Sequence, residues 1–178
     1  MKRILVFAAA LLLAASTAFA QLGTTTVTNN LQVTPVAEAA LTIGATATTL
    51  TSPGTNFSNY TGTTNFTYFI RTSQTGGTGS IVLQVTSDFA PAGGPSVASP
   101  ATGDALTYTC TVSSPGTACT GSLTASTSGT TSVATFSAAA HSAKSGNSAS
   151  VTWTLPNDPQ YQTGNTYTAT VTYTISAS

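Results

Sequence analysis

Cys110 and Cys119 are the two cysteines of this 178-residue chain, His141 is its single histidine, and Glu38, Asp88, Asp104 and Asp158 are its acids. These residues bound the chemistry open to it. The cysteines flank Ser114-Pro115-Gly116, so a turn there sets them opposite each other on adjacent strands, and a disulfide that pins the hairpin is expected in an oxidising compartment. A redox-active pair would need CxxC spacing or a neighbouring basic group, and both are absent. One imidazole excludes a His-rich metal site. Around it, Ala138-Ala139-Ala140 and Ser142 read as a loop, and no GxSxG elbow is present to activate a serine. The acids are isolated in sequence, and a paired-carboxylate glycosidase would need the fold to join two of them. Asn157-Asp158, with Asp88 or Asp104, carries donors for a weak calcium site, but a turn-forming Asn-Asp pair explains the same residues more simply. The expectation is a protein that is not an enzyme, with no catalytic, cofactor-binding or metal-binding residues and no cofactor.

Two further patterns suggest recognition. Trp153, Tyr161, Tyr167 and Tyr173 are the residue types of a carbohydrate-stacking platform, yet Trp153 falls on the apolar parity of its segment, which favours core packing. Asn56, Asn59 and Asn65 each begin an Asn-x-Ser/Thr triplet, a pattern that a Thr-rich chain produces by chance.

The elements that carry these residues are strands. At the C-terminus Tyr167, Ala169, Val171, Tyr173 and Ile175 alternate with threonines from Thr166 to Thr174, the period-two pattern of a half-buried antiparallel strand. The same alternation recurs at Val151, Trp153 and Leu155, at Leu106, Tyr108, Cys110 and Val112, and at Phe66, Tyr68 and Ile70. Residues 81–85 and 41–43 add two strands, with weaker ones at 27–33 and 133–136. Turn clusters such as Ser52-Pro53-Gly54, Gln74-Thr75-Gly76-Gly77 and Pro156-Asn157-Asp158-Pro159 separate them. A short helical turn is expected at most over 137–144, and the Thr-rich stretch 117–131 reads as a loop or a frayed strand pair. Eight or nine antiparallel strands in one domain predict an all-β, immunoglobulin-like Greek-key β-sandwich.

Lys2-Arg3, an apolar run over residues 4–15 and Ala18-Phe19-Ala20 before Gln21 have the form of a cleavable signal peptide. Cleavage leaves ~160 residues, enough for a single core without a metal. The expected organisation is a signal peptide over 1–20, an N-terminal strand or extension over 21–35 and the sandwich over 36–178. The expected location is secreted, extracellular or at the cell surface, with the periplasm as an alternative and no membrane span in the mature chain. Charged residues are 4% of the chain, against about a quarter in a typical soluble domain. Arg71 and Lys144 are the only bases left after cleavage, which excludes the basic patch that nucleic acid requires. So little charge leaves neighbouring copies without electrostatic repulsion, and self-association or association with other surface proteins is expected. Residues 21–35 place Val27, Leu31 and Val33 on one parity before Pro35, the pattern of a detachable strand.

The segment Gly164-Asn165-Thr166-Tyr167-Thr168-Ala169-Thr170-Val171-Thr172-Tyr173-Thr174-Ile175 resembles the closing strand of secreted chaperone–usher pilins, especially the spore coat protein U-like subunits. The resemblance implies a fimbrial, pilus-like subunit whose incomplete sandwich is completed by the N-terminal strand of the next subunit, with Val27, Leu31 and Val33 as the donor positions. Two functions are therefore expected in turn: a secreted structural subunit of a fibre or surface layer, and a non-catalytic module that binds a glycan or cell-wall polymer in loops at one end.

Overall fold

Alternation of apolar and hydroxyl side chains runs through nearly every segment that pairs, so each strand buries one face and hydrates the other. The computed structural model describes Gly23 and residues 25–178; the signal peptide expected over residues 1–20 lies outside the described residues. The chain divides at Val33/Thr34, and the strands all lie in the unit Thr34–Ser178. They are β1 (Glu38–Ile43), β2 (Tyr60–Arg71), β3 (Gly79–Ala90), β4 (Thr107–Val112), β5 (Thr117–Ala118), β6 (Leu123–Thr124), β7 (Thr131–Phe136), β8 (Asn147–Leu155) and β9 (Thr168–Ala177). Two antiparallel sheets result, a five-stranded one in the order β1-β2-β8-β4-β6 and a four-stranded one in the order β5-β7-β3-β9. The all-β sandwich expected from the sequence is the fold of this unit.

The core lies between the sheets. Phe66, Tyr68 and Ile70 of β2, Val151, Trp153 and Leu155 of β8 and Tyr108 of β4 meet Ile81, Leu83 and Val85 of β3 and Val133 and Phe136 of β7. Burying each large side chain contributes about 1.5–3 kcal/mol, and tilted ring pairs Tyr68–Phe136 and Tyr108–Trp153 add directional contacts. Outside the larger sheet, Thr61, Thr154 and Thr107 stand in one cross-strand row and Thr63, Thr152 and Thr109 in the next. Hydroxyls hydrate this face in place of charges, which accounts for the low charged fraction of a folded domain.

Four local expectations are corrected. Residues 137–144 hold turns and an isolated bridge from His141 to Arg71 but no helix, because Arg71 and Thr72 recruit that segment as a strand extension would. The stretch 117–131 contains two two-residue strands on different sheets. Residues 27–33 form no strand. The disulfide does form, with the two Cα atoms 5.5 Å apart, but β4 and β5 belong to different sheets. The turn at Ser113–Gly116 carries the chain across the sandwich, so the bond staples sheet to sheet instead of pinning a hairpin.

Candidate assembly interface

The two lateral edges of the sandwich are built differently. At one, Cys110–Cys119 joins the sheets, the Cys119 N–H bonds the Val133 carbonyl at 2.9 Å, and the Tyr68 hydroxyl donates to the Ser113 carbonyl in the crossing turn. At the other, β1 ends the larger sheet and β9 ends the smaller one. They face each other without forming a ladder.

This β1/β9 seam is incompletely covered. On β3 the inward residues Ile81, Leu83 and Val85 are buried, whereas on β9 all five inward residues, Ala169, Val171, Tyr173, Ile175 and Ala177, are half-buried. On β1, Ala39 and Leu41 are half-buried and Ile43 is exposed. β9 is a ten-residue edge strand with no charge, proline or glycine, so it lacks the features that normally block edge pairing. Its end is anchored: the Ser178 N–H bonds the Thr78 carbonyl at 2.8 Å and the Ser73 N–H bonds the Ser178 carbonyl at 2.9 Å. β1 is held at its start by Arg71, whose Nε donates to the Val36 carbonyl at 2.7 Å and whose Nη2 meets Glu38 Oε2 at 3.1 Å.

Beside the seam, β2 continues past the end of β1, which pairs only with Phe66–Arg71. Gly44, Ala45, Ala47 and Thr48 run along the vacated edge and leave a hollow of about 240 Å³ against Thr63, Thr64 and Asn65. The Thr64 hydroxyl accepts Trp153 Nε1–H at 3.0 Å and bonds the Thr48 hydroxyl at 2.7 Å. Tyr173 crosses from β9 to this cluster, with its ring 5.5 Å from that of Phe66. Its hydroxyl oxygen is buried beside Thr64 and Trp153 without a bond of full hydrogen-bond geometry, and burial pushes the hydroxyl up to about 12 against the lowering influence of those two neighbours.

The remaining sequence candidates are scattered. Val27, Leu31 and Val33 are 94%, 92% and 88% exposed. Trp153 is a core residue. Glu38, His141 and Ser142 line a shared hollow with Arg71, but Glu38 is held by Arg71, the Ser142 hydroxyl accepts the Ile70 N–H at 3.0 Å, and His141 Nδ1 meets the Ala139 carbonyl at 2.9 Å. No hydrogen bond links these three into a nucleophile–base–acid chain. Asn56, Asn59 and Asn65 are exposed.

The acids separate into two settings. Asp88 organises the loop after β3, accepting bonds from the backbone N–H groups of Phe89, Val97 and Ala98 and from the Ser96 hydroxyl. Desolvation acts to raise its carboxyl, but these bonds from Val97, Ser96, Ala98 and Phe89 together hold it below the ordinary aspartate range. Asp104 and Asp158, distant in sequence, meet at one end of the sandwich, where a bond to Asp158 raises the Asp104 carboxyl, with desolvation and charge repulsion adding to the effect. Asp104 Oδ2 and the Tyr161 hydroxyl are buried there without partners of full hydrogen-bond geometry. Among the described residues no three His, Cys, Asp or Glu side chains gather as a metal site, and no helix is long and apolar enough to cross a membrane.

Sequence reasoning found the apolar face of β9 but not the seam or the Tyr173–Thr64–Trp153 cluster. Their only sequence signal was a tyrosine among aliphatics on the inward parity. Comparison of the chain with family models, curated proteins and solved structures finds no match.

Proposed function

We propose that this protein is a secreted structural subunit of a fibre or surface layer, and that copies associate by laying the N-terminal segment of one along the β1/β9 seam of the next. The observation that carries this reading is the pairing of deficits. A ten-residue uncharged edge strand has its inward face half uncovered, and an uncharged segment of similar length presents Val27, Leu31 and Val33 to solvent. Adding a strand to β9 would satisfy its free backbone groups and cover that face with alternate side chains. The leader sequence and the disulfide suit a site outside the cytoplasm, and the reading requires no catalysis.

Size-exclusion chromatography with light scattering and negative-stain microscopy of the mature chain, beside a version lacking residues 21–34, tests it. Oligomers or filaments lost on truncation are the expected result. A monomer in both cases overturns it.

A second reading, a glycan-binding module, draws on the loop end where Tyr60 and Tyr161 gather with Asp104 and Asp158. Both tyrosines are half-buried, so they offer less stacking surface than an exposed aromatic platform. Retention of the monomer on an insoluble polysaccharide, lost in Tyr161→Ala, is the outcome that would favour it.

A further inference from the structure

Among the described residues after β1, the large apolar side chains left exposed are Phe57 and Phe69. They lie at opposite ends of β2, Phe57 in the loop before Tyr60 and Phe69 just before the last residue, Arg71, roughly 40 Å apart at the rise of a strand. A lone exposed ring is ordinary, but Phe57 is held in place. Asn56 and Phe57 stand at φ 51° and 52°, a left-handed region that a bulky residue seldom enters. The Ser52 hydroxyl donates to the Ser58 carbonyl at 2.6 Å, the Ser58 N–H and hydroxyl donate to the Thr55 carbonyl at 3.0 Å and 2.6 Å, and Thr51 and Thr61 bridge the base of the loop. Strain secured in this way gathers where a side chain must be presented, and Phe57 stays 60% exposed.

At the other end Phe69 borders a hollow of about 350 Å³ on the outer face of the larger sheet, shared with Ala40, Arg71 and His141. A cavity of roughly 150 Å³ is enough for a benzene ring. Arg71 is bonded through Nε and Nη2 and its side chain is 45% exposed, which leaves a guanidinium face to lie against a ring. The ends differ in charge as well. Asp88, Asp104 and Asp158 lie in or beside the loops at the Phe57 end. The bases of the described residues lie at the hollow end: Arg71, His141, and Lys144 in the turn Ala143–Gly146, whose Gly146 abuts the Phe69 ring. The acids there are engaged, Glu38 by Arg71 and the terminal Ser178 by Ser73 and Thr78 of the smaller sheet.

We propose that Phe57 of one copy seats against Phe69 and Arg71 in the hollow of the next, a joint that orders copies head to tail and adds a second contact to the assembly reading above, on which it rests. Both halves are on this chain and match in size and charge, so the partner is a second copy. A ring at one end and a hollow at the other make a heterologous contact, which propagates through copies instead of closing on itself. The acids around Phe57 and the bases around the hollow set the orientation of the encounter. β1 begins at the hollow end and β9 at the Phe57 end, so the same joint brings the tether of one copy's N-terminal segment to the start of the next copy's seam.

The test uses the full chain, exported with its leader, as wild type, Phe57→Ser and Ala40→Trp, with the concentration for half-assembly measured by light scattering. Each variant is expected to raise that concentration about tenfold, the loss typical of removing an aromatic anchor or filling its pocket. Both positions are exposed, so each variant is expected to melt with wild type; Phe69→Ser repeats the lesion in the hollow with a side chain removed instead of added. An equimolar mixture of Phe57→Ser and Ala40→Trp keeps one intact hollow and one intact ring. It is expected to give 1:1 pairs in native mass spectrometry at concentrations where neither variant assembles alone. Wild-type assembly with the variants unchanged, or a mixture without the pair, overturns the joint and leaves strand donation standing if removal of residues 21–34 abolishes assembly. Assembly that survives that removal but falls in these variants supports the joint and overturns donation. A wild type that never assembles overturns both.

Discussion

Tyr108 reaches from β4 across the sandwich and donates its hydroxyl to the Ser132 carbonyl of β7 at 2.8 Å. Tyr173 crosses from β9 toward β2, where its ring lies 5.5 Å from that of Phe66 and its hydroxyl sits beside Thr64 without a bond of full geometry. The first tyrosine stands on the disulfide side and the second at the β1/β9 seam, so the two edges differ in covalent closure, in hydrogen bonding and in burial together. Tyr108→Phe is expected to destabilise the chain by about 1 kcal/mol, the net worth of a typical buried hydrogen bond. A urea denaturation midpoint equal to wild type would contradict it.

Thr64 holds the indole of Trp153, a residue of 4% exposure in the middle of β8. Thr64→Val keeps the side-chain shape and removes the acceptor, leaving a buried N–H unpaired at a cost of about 1–3 kcal/mol. Thr64→Ser is expected to restore most of it. Equal melting temperatures for the valine and serine variants would dispose of this account.

Breaking Cys110–Cys119 is expected to cost about 2–3 kcal/mol in the loop-entropy account of a ring this short. The two cysteines are nine positions apart. Because the bond joins sheets, reduction is also expected to raise amide exchange on both sides of the staple, in β4 and β7, instead of only in the crossing turn. Exchange measured with and without reductant, read at residues 107–112 and 131–136, decides the point.

The carboxyls give stability two opposite dependences on pH. Asp88, held below its ordinary range by four hydrogen bonds, contributes stability that is present above its unfolded-state value and is lost as pH falls through its folded one. Asp104, raised by Asp158, contributes stability present below its unfolded-state value and lost as pH rises through its folded one. Asp88→Asn is therefore expected to weaken the protein at neutral pH more than in acid. Asp158→Asn is expected to cut the loss on going from acid to neutral pH. Thermal melts across the carboxylate range would expose either sign as wrong.

Much of the strand content was legible because the physics of one strand is local. The run from Tyr167 to Ile175 alternates so regularly that its buried and hydrated faces follow from side-chain period alone, and Trp153 could be assigned to the core on parity. The weaker signals failed for reasons equally physical. Residues 137–144 have composition for a loose turn, but the bridge to Arg71 that organises them comes from β2, some seventy positions away. Cys110 and Cys119 were correctly paired from proximity, yet only the crossing of the chain at Ser113–Gly116 between sheets decides that their bond is a staple. The meeting of Asp104 with Asp158 was one of two pairings open to the sequence, and the loops around the sandwich end selected it.

By itself, then, the sequence determined the element type, the faces and the scarcity of charge, since each depends on neighbouring residues or on totals. The tertiary structure alone decided which strands end the two sheets. Strand order is set by nonlocal pairing and by how two twisted sheets stack, and no short-range pattern encodes it. The open seam and the closed opposite edge both follow from that order.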